Sequence, residues 1–366
     1  MDDATTAQEA TVTVGLDLGD RYCQVCVLDE TGEIVEEARV TTRPESLRRR
    51  FAGGDPMRIV LEAGTHSPWV SRLLGELGHE VIVANPRKLR LIYENDSKSD
   101  RVDAEYLARV GRLDPALLSP LTHRGAETQV DLALVRSRTA LVRARTRLVS
   151  HARGTCKSLG GRLPGCGADA FTEKAGPVVP EELKAALGPV LAVIRHLTDE
   201  IRVLDARIEE MAKQRYPETA LLAQVSGVGT LTATVFVLTV EDPARFPRSR
   251  AVGAYLGLRP RTASSGLSDP QLRITKAGDD HLRWLLVTAA HYILGPFGPD
   301  SDLRRWGLAL AEKGGKRGKK RAVVAVARKL SVLLLHLWRT GEVYEPLQGA
   351  RMQVRSLPPS WPETEA

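Results

Sequence analysis

Four acidic residues in the first third of the chain are spaced so that they could act together on a phosphate. Asp17 lies inside an apolar run, Glu62 ends another, and Asp100 and Asp103 lie one helical turn apart. Carboxylates in apolar surroundings lose hydration and repel one another, which is tolerable when a hard cation such as Mg²⁺ or Mn²⁺ lies between them. Two cations about 4 Å apart can stabilise both the attacking and the leaving oxygen in phosphoryl transfer. The four acids therefore predict a metal-dependent phosphoryl-transfer site.

Each acid also has an ordinary structural explanation when it is taken alone. Asp17 could cap a turn, Asp100 could be a helix N-cap, and Asp103 could complement a helix dipole. The segment VGLDLGDRYCQVCVLD also fits the first phosphate loop of actin-like ATPases and sugar kinases. That class needs a later glycine-rich nucleotide loop in a second α/β domain, and the arginine-rich sequence after residue 128 does not offer one. The ordered set of four acids remains the stronger signal.

The elements that position these acids alternate between strands and helices. Two β-rich runs, TVTVGLDLG and RYCQVCVLD, are separated by a turn at Gly19-Asp20, and a third, GEIVEEARV, follows. RIVLEAG and HEVIVANP predict two more strands around the short helix WVSRLLGELG. Residues 99–112 have apolar positions at helical spacing, so Asp100 and Asp103 fall in the first turn of an amphipathic helix. This succession of strands and helices predicts an α/β domain.

The middle of the chain predicts two long helices with heptad seams. Apolar columns repeat every seven residues between 129 and 157, and apolar positions alternate by four and three between 190 and 211. The first seam comprises Leu134, Leu141, Leu148, Val135, Val142 and Val149, and the arginines proposed for nucleic-acid contact are Arg136, Arg143 and Arg147. The pattern predicts a coiled-coil arm or a dimer interface. A hairpin packed within the chain is an equal alternative, since heptads alone do not determine which helix is the partner.

The C-terminal third carries further features that suit phosphate binding. LLAQVSGVGTLTATVF resembles a helix-hairpin-helix element, in which Gly227 and Gly229 would let backbone N–H groups approach DNA, although a tight helix-helix turn also explains it. A polar loop with adjacent serines leads into a helix near Asp279. The cations proposed for phosphate contact here are Arg273, Lys276, Lys316, Arg317, Lys319 and Lys320.

Composition supports a polyanionic partner. The 366 residues carry 52 Lys and Arg against 45 Asp and Glu, a formal charge of +7. Cys23 and Cys26 have C-x-x-C spacing without a second ligand pair, and Cys156 and Cys166 lie far away, so a reduced protein is expected. Neither a signal peptide nor a membrane-spanning run is apparent. We expect a cytoplasmic, nucleoid-associated bacterial protein.

The joint order of eight motifs is more specific than any of these features. The N-terminal motifs are VGLDLG, VLEAG, NPRKLR and KSDRVDAEYLA, and the later ones are QVSGVGTLTA, YLGLRPRTASSG, LRITKAGDDHLR and KRAVVAVARKL. In this order the chain resembles the insertion sequence 110 family of DEDD transposases from about Val12 to Tyr344.

The resemblance implies a domain arrangement and a mechanism. It implies an RNase H-like, RuvC-like catalytic domain over 1–125, an arginine-rich helical coiled-coil region over 126–215, a mainly helical transposase domain over 216–345 and a tail over 346–366. The catalytic set would be Asp17, Glu62, Asp100 and Asp103 with a nucleophilic serine that holds the cut DNA end covalently. That serine precedes glycine in the family, which matches Ser265, with Ser264 as the other candidate.

The resemblance also implies partners: donor and target DNA, a structured noncoding guide RNA encoded by the element, and further copies of the chain in a dimer or tetramer. Gln271-Leu272 replaces a glycine found in many relatives, which leaves the loop geometry open. Two alternatives remain. A junction-resolving nuclease of RuvC type needs the four acids but no serine, and a nucleic-acid-binding scaffold needs neither.

Overall fold

The computed structural model describes residues 12–89, 99–263, 265 and 272–347, and only the backbone of Lys316. The chain divides into two compact units, Met1–Gly125 and Ala126–Ala366. Within the described ranges, no helix combines the length and the apolar character that crossing a membrane requires.

The first unit is built on a five-stranded mixed sheet in the order β3-β2-β1-β4-β5. The strands are β1 (Thr13–Leu18), β2 (Tyr22–Leu28), β3 (Ile34–Thr41), β4 (Arg58–Glu62) and β5 (Glu80–Ala84). The first three strands pair antiparallel, whereas β4 lies parallel to β1 and β5 lies parallel to β4. The sheet therefore places the carboxyl ends of β1, β4 and β5 along one edge.

Helices cover both faces of this sheet. Helices α1 (Pro44–Phe51) and α2 (Ser67–Glu76) share a core with Leu16 and Leu61, whereas α3 (Asp100–Leu113) covers the opposite face and is followed by a 3-10 turn, Pro115–Leu118. The predicted α/β character is confirmed, and within residues 12–89 α1 is a helix that the sequence did not predict. The sequence missed α1 because this short segment buries only two apolar side chains, Leu47 and Phe51.

Helix α3 lies directly on the sheet because glycines remove the side chains between them. A Cβ atom on Gly15 of β1 would lie 1.9 Å from the carbonyl oxygen of Ala104 and 2.6 Å from the amide nitrogen of Ala108. A Cβ atom on Gly111 would lie 2.3 Å from Val60 Cγ2. The backbone of α3 can reach this position only while both residues lack a side chain.

The second unit is almost entirely helical, as predicted. Its helices are α4 (Ala126–Ser158), α5 (Phe171–Ala175), α6 (Glu181–Arg215), α7 (Glu218–Leu222), α8 (Thr230–Val240), α9 (Ala251–Tyr255), α10 (Asp280–Leu294), α11 (Asp302–Lys313) and α12 (Gly318–Thr340). Residues 232–240 of α8 are all buried, and α8 lies in a core that includes apolar side chains of α10 and α12. A helix that is apolar on every side is typical of such a central position.

Helices α4 and α6 form an antiparallel hairpin within the chain. Leu132 near the start of α4 shares a core with Met211 near the end of α6, whereas Cys156 shares another with Leu187. The heptad residues Val135, Val149, Ile194, Ile201 and Ile208 are buried. The two helices thus pack on each other within one chain, as the hairpin alternative predicts. A coiled coil between copies of the chain stays a prediction.

Buried polar contacts fix the register of this hairpin. Arg145 is buried, and its Nη1 donates to Asp169 Oδ1 at 2.5 Å and to Thr198 Oγ1 at 3.2 Å. At the other end, the buried Asp131 carboxylate accepts hydrogen bonds from Arg215 and, at 2.6 Å, from the Tyr216 hydroxyl. Burial and the hydrogen bond to Asp131 raise the pKa of Tyr216 to about 12. A one-turn slip of the hairpin would leave these groups without partners, which is costly.

We expect Gly15→Ala to destabilise the first unit by about 1–3 kcal/mol or more, because the new methyl group overlaps the backbone of α3. The measurement is the thermal unfolding of the intact chain followed by circular dichroism. Gly75→Ala is the matched control, since a Cβ atom at this position in α2 meets nothing within 4 Å. The control should be neutral or slightly stabilising, as alanine favours helix. Equal melting temperatures for the two variants would contradict the close approach.

Candidate active site

Asp17 and Glu62 lie side by side at the carboxyl ends of two neighbouring strands. Leu16 of β1 is level with Leu61 of β4 in the parallel register, and the two acids are the next residues. Neighbouring strands lie about 4.8 Å apart. Both acids are half-buried. The sheet therefore brings two acids that are distant in sequence to the same level.

The two acids also share one face of the sheet. Side chains alternate along a strand, so Asp17 points to the same side as Gly15, and Glu62 to the same side as Val60. Gly15 and Val60 both contact α3. Asp17 and Glu62 consequently lie on the α3 face, away from the core that α1 and α2 build.

Helix α3 begins at the same end of the sheet. Its later residue Arg109 donates to the Gly32 carbonyl at 3.3 Å and Arg112 donates to that of Glu30, both in the β2–β3 turn beside the start of β1. The helix therefore runs opposite to β1, and its first turn lies toward the strand's carboxyl end.

Asp100 and Asp103 occupy that first turn. Ser99 is the N-cap, and its hydroxyl accepts a hydrogen bond from the Val102 amide at 3.3 Å. Asp100 is exposed, whereas Asp103 is half-buried and directly precedes Ala104, the residue against Gly15. Their position at the helix start also stabilises negative charge. Both acids can thus stabilise the start of the helix through its dipole and also offer oxygen atoms to a metal ion.

These four carboxylates suit Mg²⁺ or Mn²⁺ in donor chemistry, because hard cations prefer oxygen ligands. Within residues 12–89 and 99–263 and the later described ranges, no group of three or more His, Cys, Asp or Glu is drawn together closely enough to hold an ion. The fold aligns the acids at one end of one sheet face, and their role as ligands stays a prediction.

The C-x-x-C pair does not form a metal site with them. Cys23 belongs to the core under α1 and α2, whereas Cys26 belongs to the cluster with Ala104 on the α3 face. Both thiols are free and buried, and burial raises the pKa of each to about 11. Their side chains point to opposite faces of β2 and cannot bind one ion together.

Ser265 is exposed in a loop that a short antiparallel stem closes. Pro260 bridges to Ile274, the Arg261 amide donates to the Arg273 carbonyl at 2.9 Å, and the Thr275 amide donates to the Arg259 carbonyl at 2.9 Å. Ser264, Gly266 and Gln271 lie outside the described residues, so the expectation about the loop's turn stays open. The stem fixes where the loop starts and ends.

Arg283 of α10 anchors the base of this stem. Its Nη1 donates to the carbonyl oxygens of Ala277 at 2.9 Å and Leu256 at 3.1 Å. Gly257 and Gly278 have φ values of +68° and +72°, and a Cβ atom on either would lie within 2.2 Å of a carbonyl oxygen. Sequence reasoning missed this anchor, although Arg283 ends the motif LRITKAGDDHLR that it had singled out.

The arginines of α4 fall into two groups. Arg138 binds Asp205, Arg145 binds Asp169, and Arg153 donates to the carbonyl oxygens of Pro164 and Cys166, so these three hold the second unit together. The residues proposed for nucleic acid, Arg136, Arg143 and Arg147, are exposed.

The other proposed nucleic-acid residues lie in different settings. Gly227 has a φ of +87°, and a Cβ atom there would lie 3.1 Å from the Ala289 carbonyl oxygen, so helix packing explains it. Gly229 is the N-cap of α8, and a Cβ atom there would meet nothing within 4 Å. The exposed cations are Arg273, Lys276, Arg317, Lys319 and Lys320, whereas the side chain of Lys316 lies outside the described part. Their contact with nucleic acid stays a prediction.

Comparison with known families assigns both units. A DEDD transposase model of the IS110 type matches residues 14–159, and a model described as "Transposase IS116/IS110/IS902 family" matches residues 219–301. The chain belongs to the IS110 family of transposases. The first match contains all four acids of the candidate site, and the second contains Ser265 and Arg283.

Two relatives that align with most of the chain are transposases by their descriptions, and a third aligns with part of it. A probable family 20 transposase of Pseudomonas aeruginosa is 29% identical, over 91% of this chain and 98% of its own length. A transposase for insertion sequence element IS1111A of Coxiella burnetii is 28% identical over 90% of each chain. A pilin gene-inverting protein of Moraxella bovis is 29% identical over 37% of this chain and 42% of its own length. The predicted family and enzyme class are therefore confirmed.

We expect Cys166, which is half-buried, to be the first of the four thiols that a maleimide modifies in the native transposase. At pH 8 a thiol with a pKa near 11 is roughly one part in a thousand thiolate, so Cys23 and Cys26 should stay unmodified. Mass spectrometry of tryptic peptides measures this, and the protein unfolded in urea, where all four thiols should react, is the control. Rapid native labelling of either strand cysteine would contradict their burial.

We expect Arg283→Gln to loosen the stem that carries Ser265, because the carbonyl oxygens of Leu256 and Ala277 lose a charged donor worth about 1–3 kcal/mol. Hydrogen exchange of the amides of Thr275 and Lys276, which close the stem, measures this. Arg305→Gln is the control, since it removes only an exposed ion pair with Asp300 and should leave the exchange of the stem amides unchanged. Unchanged stem exchange in Arg283→Gln would refute the anchor.

Proposed function

We propose that this IS110 family transposase cuts and rejoins DNA by metal-dependent phosphoryl transfer, with Asp17, Glu62, Asp100 and Asp103 as metal ligands and Ser265 as nucleophile. The observation that carries the proposal is the placement of the acids. Asp17 and Glu62 are level at the carboxyl ends of β1 and β4, on the face covered by the helix whose first turn holds the other two.

The fold of the first unit supports this assignment. An RNase H-like domain is proposed from three antiparallel strands followed by two parallel ones, with a helix that brings late acids to the central strand. The match of a DEDD transposase model to residues 14–159 supports divalent-metal dependence. Magnesium is the proposed ion, with manganese as a substitute, because four carboxylates offer oxygen ligands alone.

The proposed chemistry divides between the acids and the serine. A divalent ion bound by the acids would supply positive charge to the phosphate oxygens during transfer. The serine Oγ forms a bond to the DNA phosphorus while one P–O bond of the phosphodiester breaks. The serine proton is lost, and the departing deoxyribose oxygen takes up a proton. The phosphoserine ester conserves the energy of the broken bond, so another strand's hydroxyl can displace the serine and restore a phosphodiester.

The surroundings of Ser265 suit a nucleophile that must reach DNA. The side chain is exposed, and the stem that presents it carries Arg259, Arg261 and Arg273, which are also exposed. Arginine binds phosphate through a bidentate fork, so these cations can hold the backbone near the serine. Ser264 is the alternative nucleophile.

Further nucleic-acid contacts are proposed for the exposed arginines 136, 143 and 147 and for the basic segment 316–320. The turn at residues 225–229 is proposed as a helix-hairpin-helix element, with the open Gly229 at the start of α8 as its phosphate-binding backbone. A structured guide RNA is proposed from the family resemblance. A protein that contacts mainly the phosphates of DNA does not read the base sequence itself, so base pairing with the RNA can select the DNA sequence. A dimer or tetramer is proposed on the same ground.

We expect Ser265→Ala to abolish the covalent protein–DNA adduct, whereas Ser264→Ala leaves it. The intact chain is incubated with Mg²⁺, guide RNA, donor DNA and labelled target DNA, and the adduct is resolved on a denaturing gel. Asp17→Asn and Asp103→Asn should each lower adduct formation at least about a hundred-fold, because charge stabilisation in the transition state is lost. Binding of the same DNA should persist in all four variants.

The same assay separates the remaining alternatives. Strand exchange that survives replacement of both serines but not of Asp17 would favour a junction-resolving nuclease. Full activity of Asp17→Asn and Asp103→Asn would refute the metal site. Equal product formation without RNA would refute the guided mechanism and leave the serine step standing.

A further inference from the structure

Trp284 of α10 exposes more than half of its side chain to solvent, which is unusual for so large an aromatic residue. Trp284 is 57% exposed, whereas its neighbours Leu285 and Leu286 lie in the core. One side of its ring stacks on His281, with ring centroids 6.2 Å apart and planes 16° from parallel. A large aromatic surface left in water costs free energy, so a partner that covers it would gain from the contact.

The stack holds this ring in place before any partner arrives. His281 is 7% exposed, and its Nε2 lies 3.1 Å from Thr139 Oγ1 of α4. Burial, together with Arg143 and Arg138, lowers the pKa of His281 against the opposing effect of Asp279 and Asp280. The lowered pKa favours the neutral imidazole, which offers a flat support for the ring. An aromatic ring that is already fixed loses little entropy on binding.

The surroundings of the ring are polar and include two arginines and two aspartates. Arg136 and Arg143 lie one turn before and one turn after Thr139 on the same side of α4. Arg136 Nη2 lies 3.5 Å from Asp279 Oδ2, which offsets the charge of that N-cap carboxylate. Arg143 is exposed and near enough to His281 to affect its pKa.

The next positions along α10, one turn before and after Trp284, are the exposed Asp280 and Thr288. Tyr292, the next exposed aromatic residue along this face, lies two turns after Trp284, with Thr288 between them. An interface between copies of the chain would instead present a broad apolar core.

We propose that Trp284 is a stacking platform for an unpaired base of a DNA strand, with Arg143 and Arg136 holding the adjoining phosphates. Bases present a flat π-face whatever their sequence, and cations beside an aromatic ring are the usual composition of a single-strand binding surface. Only the choice of DNA as the partner rests on the proposed function, because a strand that is moved from one duplex to another has unpaired bases during the exchange. The ring, its support and its cations do not depend on Ser265 or on the four acids.

The test compares variants of the intact chain by fluorescence anisotropy with a labelled oligothymidine of about 12 nucleotides and a blunt duplex of similar length. Trp284→Leu keeps an apolar side chain without a ring, and Trp284→Tyr keeps a ring. We expect Trp284→Leu to weaken single-strand binding by roughly 5- to 100-fold, while Trp284→Tyr stays near wild type. Duplex binding should change less than about two-fold in both, because its bases are already stacked.

Two further variants sharpen the comparison. Trp306→Leu is the matched control, since this ring is also exposed but lies on α11 under Lys329, and it should bind the oligonucleotide like wild type. Arg143→Gln should lower the slope of log Kd against log salt concentration for the single strand by the amount expected for about one phosphate contact. Melting temperatures within a few degrees of wild type establish that the variants fold.

Several outcomes would overturn the proposal. These are unchanged single-strand binding in Trp284→Leu, equal losses on single strand and duplex, a loss in Trp284→Tyr as large as in Trp284→Leu, or tighter, Trp284-dependent binding of the matching RNA. A change of oligomeric state in Trp284→Leu by sedimentation velocity would assign the ring to a subunit interface instead. Since no catalysis is measured, a failure here leaves the serine and metal proposals untouched.

Discussion

The contact between the backbone of α3 and β1 is the constraint on which the candidate active site depends. Gly15 and Gly111 bring helix and sheet closer than any side chain would allow. This approach sets the height and direction of α3, and thereby where its first turn lies. Asp103 lies one residue before the contact at Ala104, so this packing sets the position of its backbone.

The sheet register contributes the other half of the site. Parallel pairing of β1 with β4 makes Asp17 and Glu62 level, and the alternation of side chains puts both on the α3 face. A shift of one residue in either strand would turn one acid into the core beneath α1 and α2, where Leu16 and Leu61 lie. The cost of burying a charge there reinforces the register. Fold stability and the alignment of the acids thus depend on the same pairing.

In the second unit, buried contacts hold the helices that carry the exposed side chains. The hairpin of α4 and α6 is locked by buried polar contacts at Arg145 and Asp131, so its exposed arginines keep their spacing. Arg283 fixes the stem beneath the proposed nucleophile, and His281 fixes the ring of Trp284. These two residues lie on the first turn of α10, so one helix start supports both features. Side chains held by packing reach a partner at a smaller entropic cost than mobile ones.

The sequence by itself determined the family, the α/β character of the first unit and the helical character of the second, because motif order, β-rich runs and heptad spacing are local or cumulative signals. It also singled out the four acids and Ser265 as candidates. It could not distinguish the structural arginines 138, 145 and 153 from the exposed ones, since both kinds have the same helical spacing. Nor could it show the support of Trp284 by His281, which in turn contacts Thr139, a residue 142 positions away in the chain. Tertiary structure decided these points, because burial and contact partners depend on which distant segments meet.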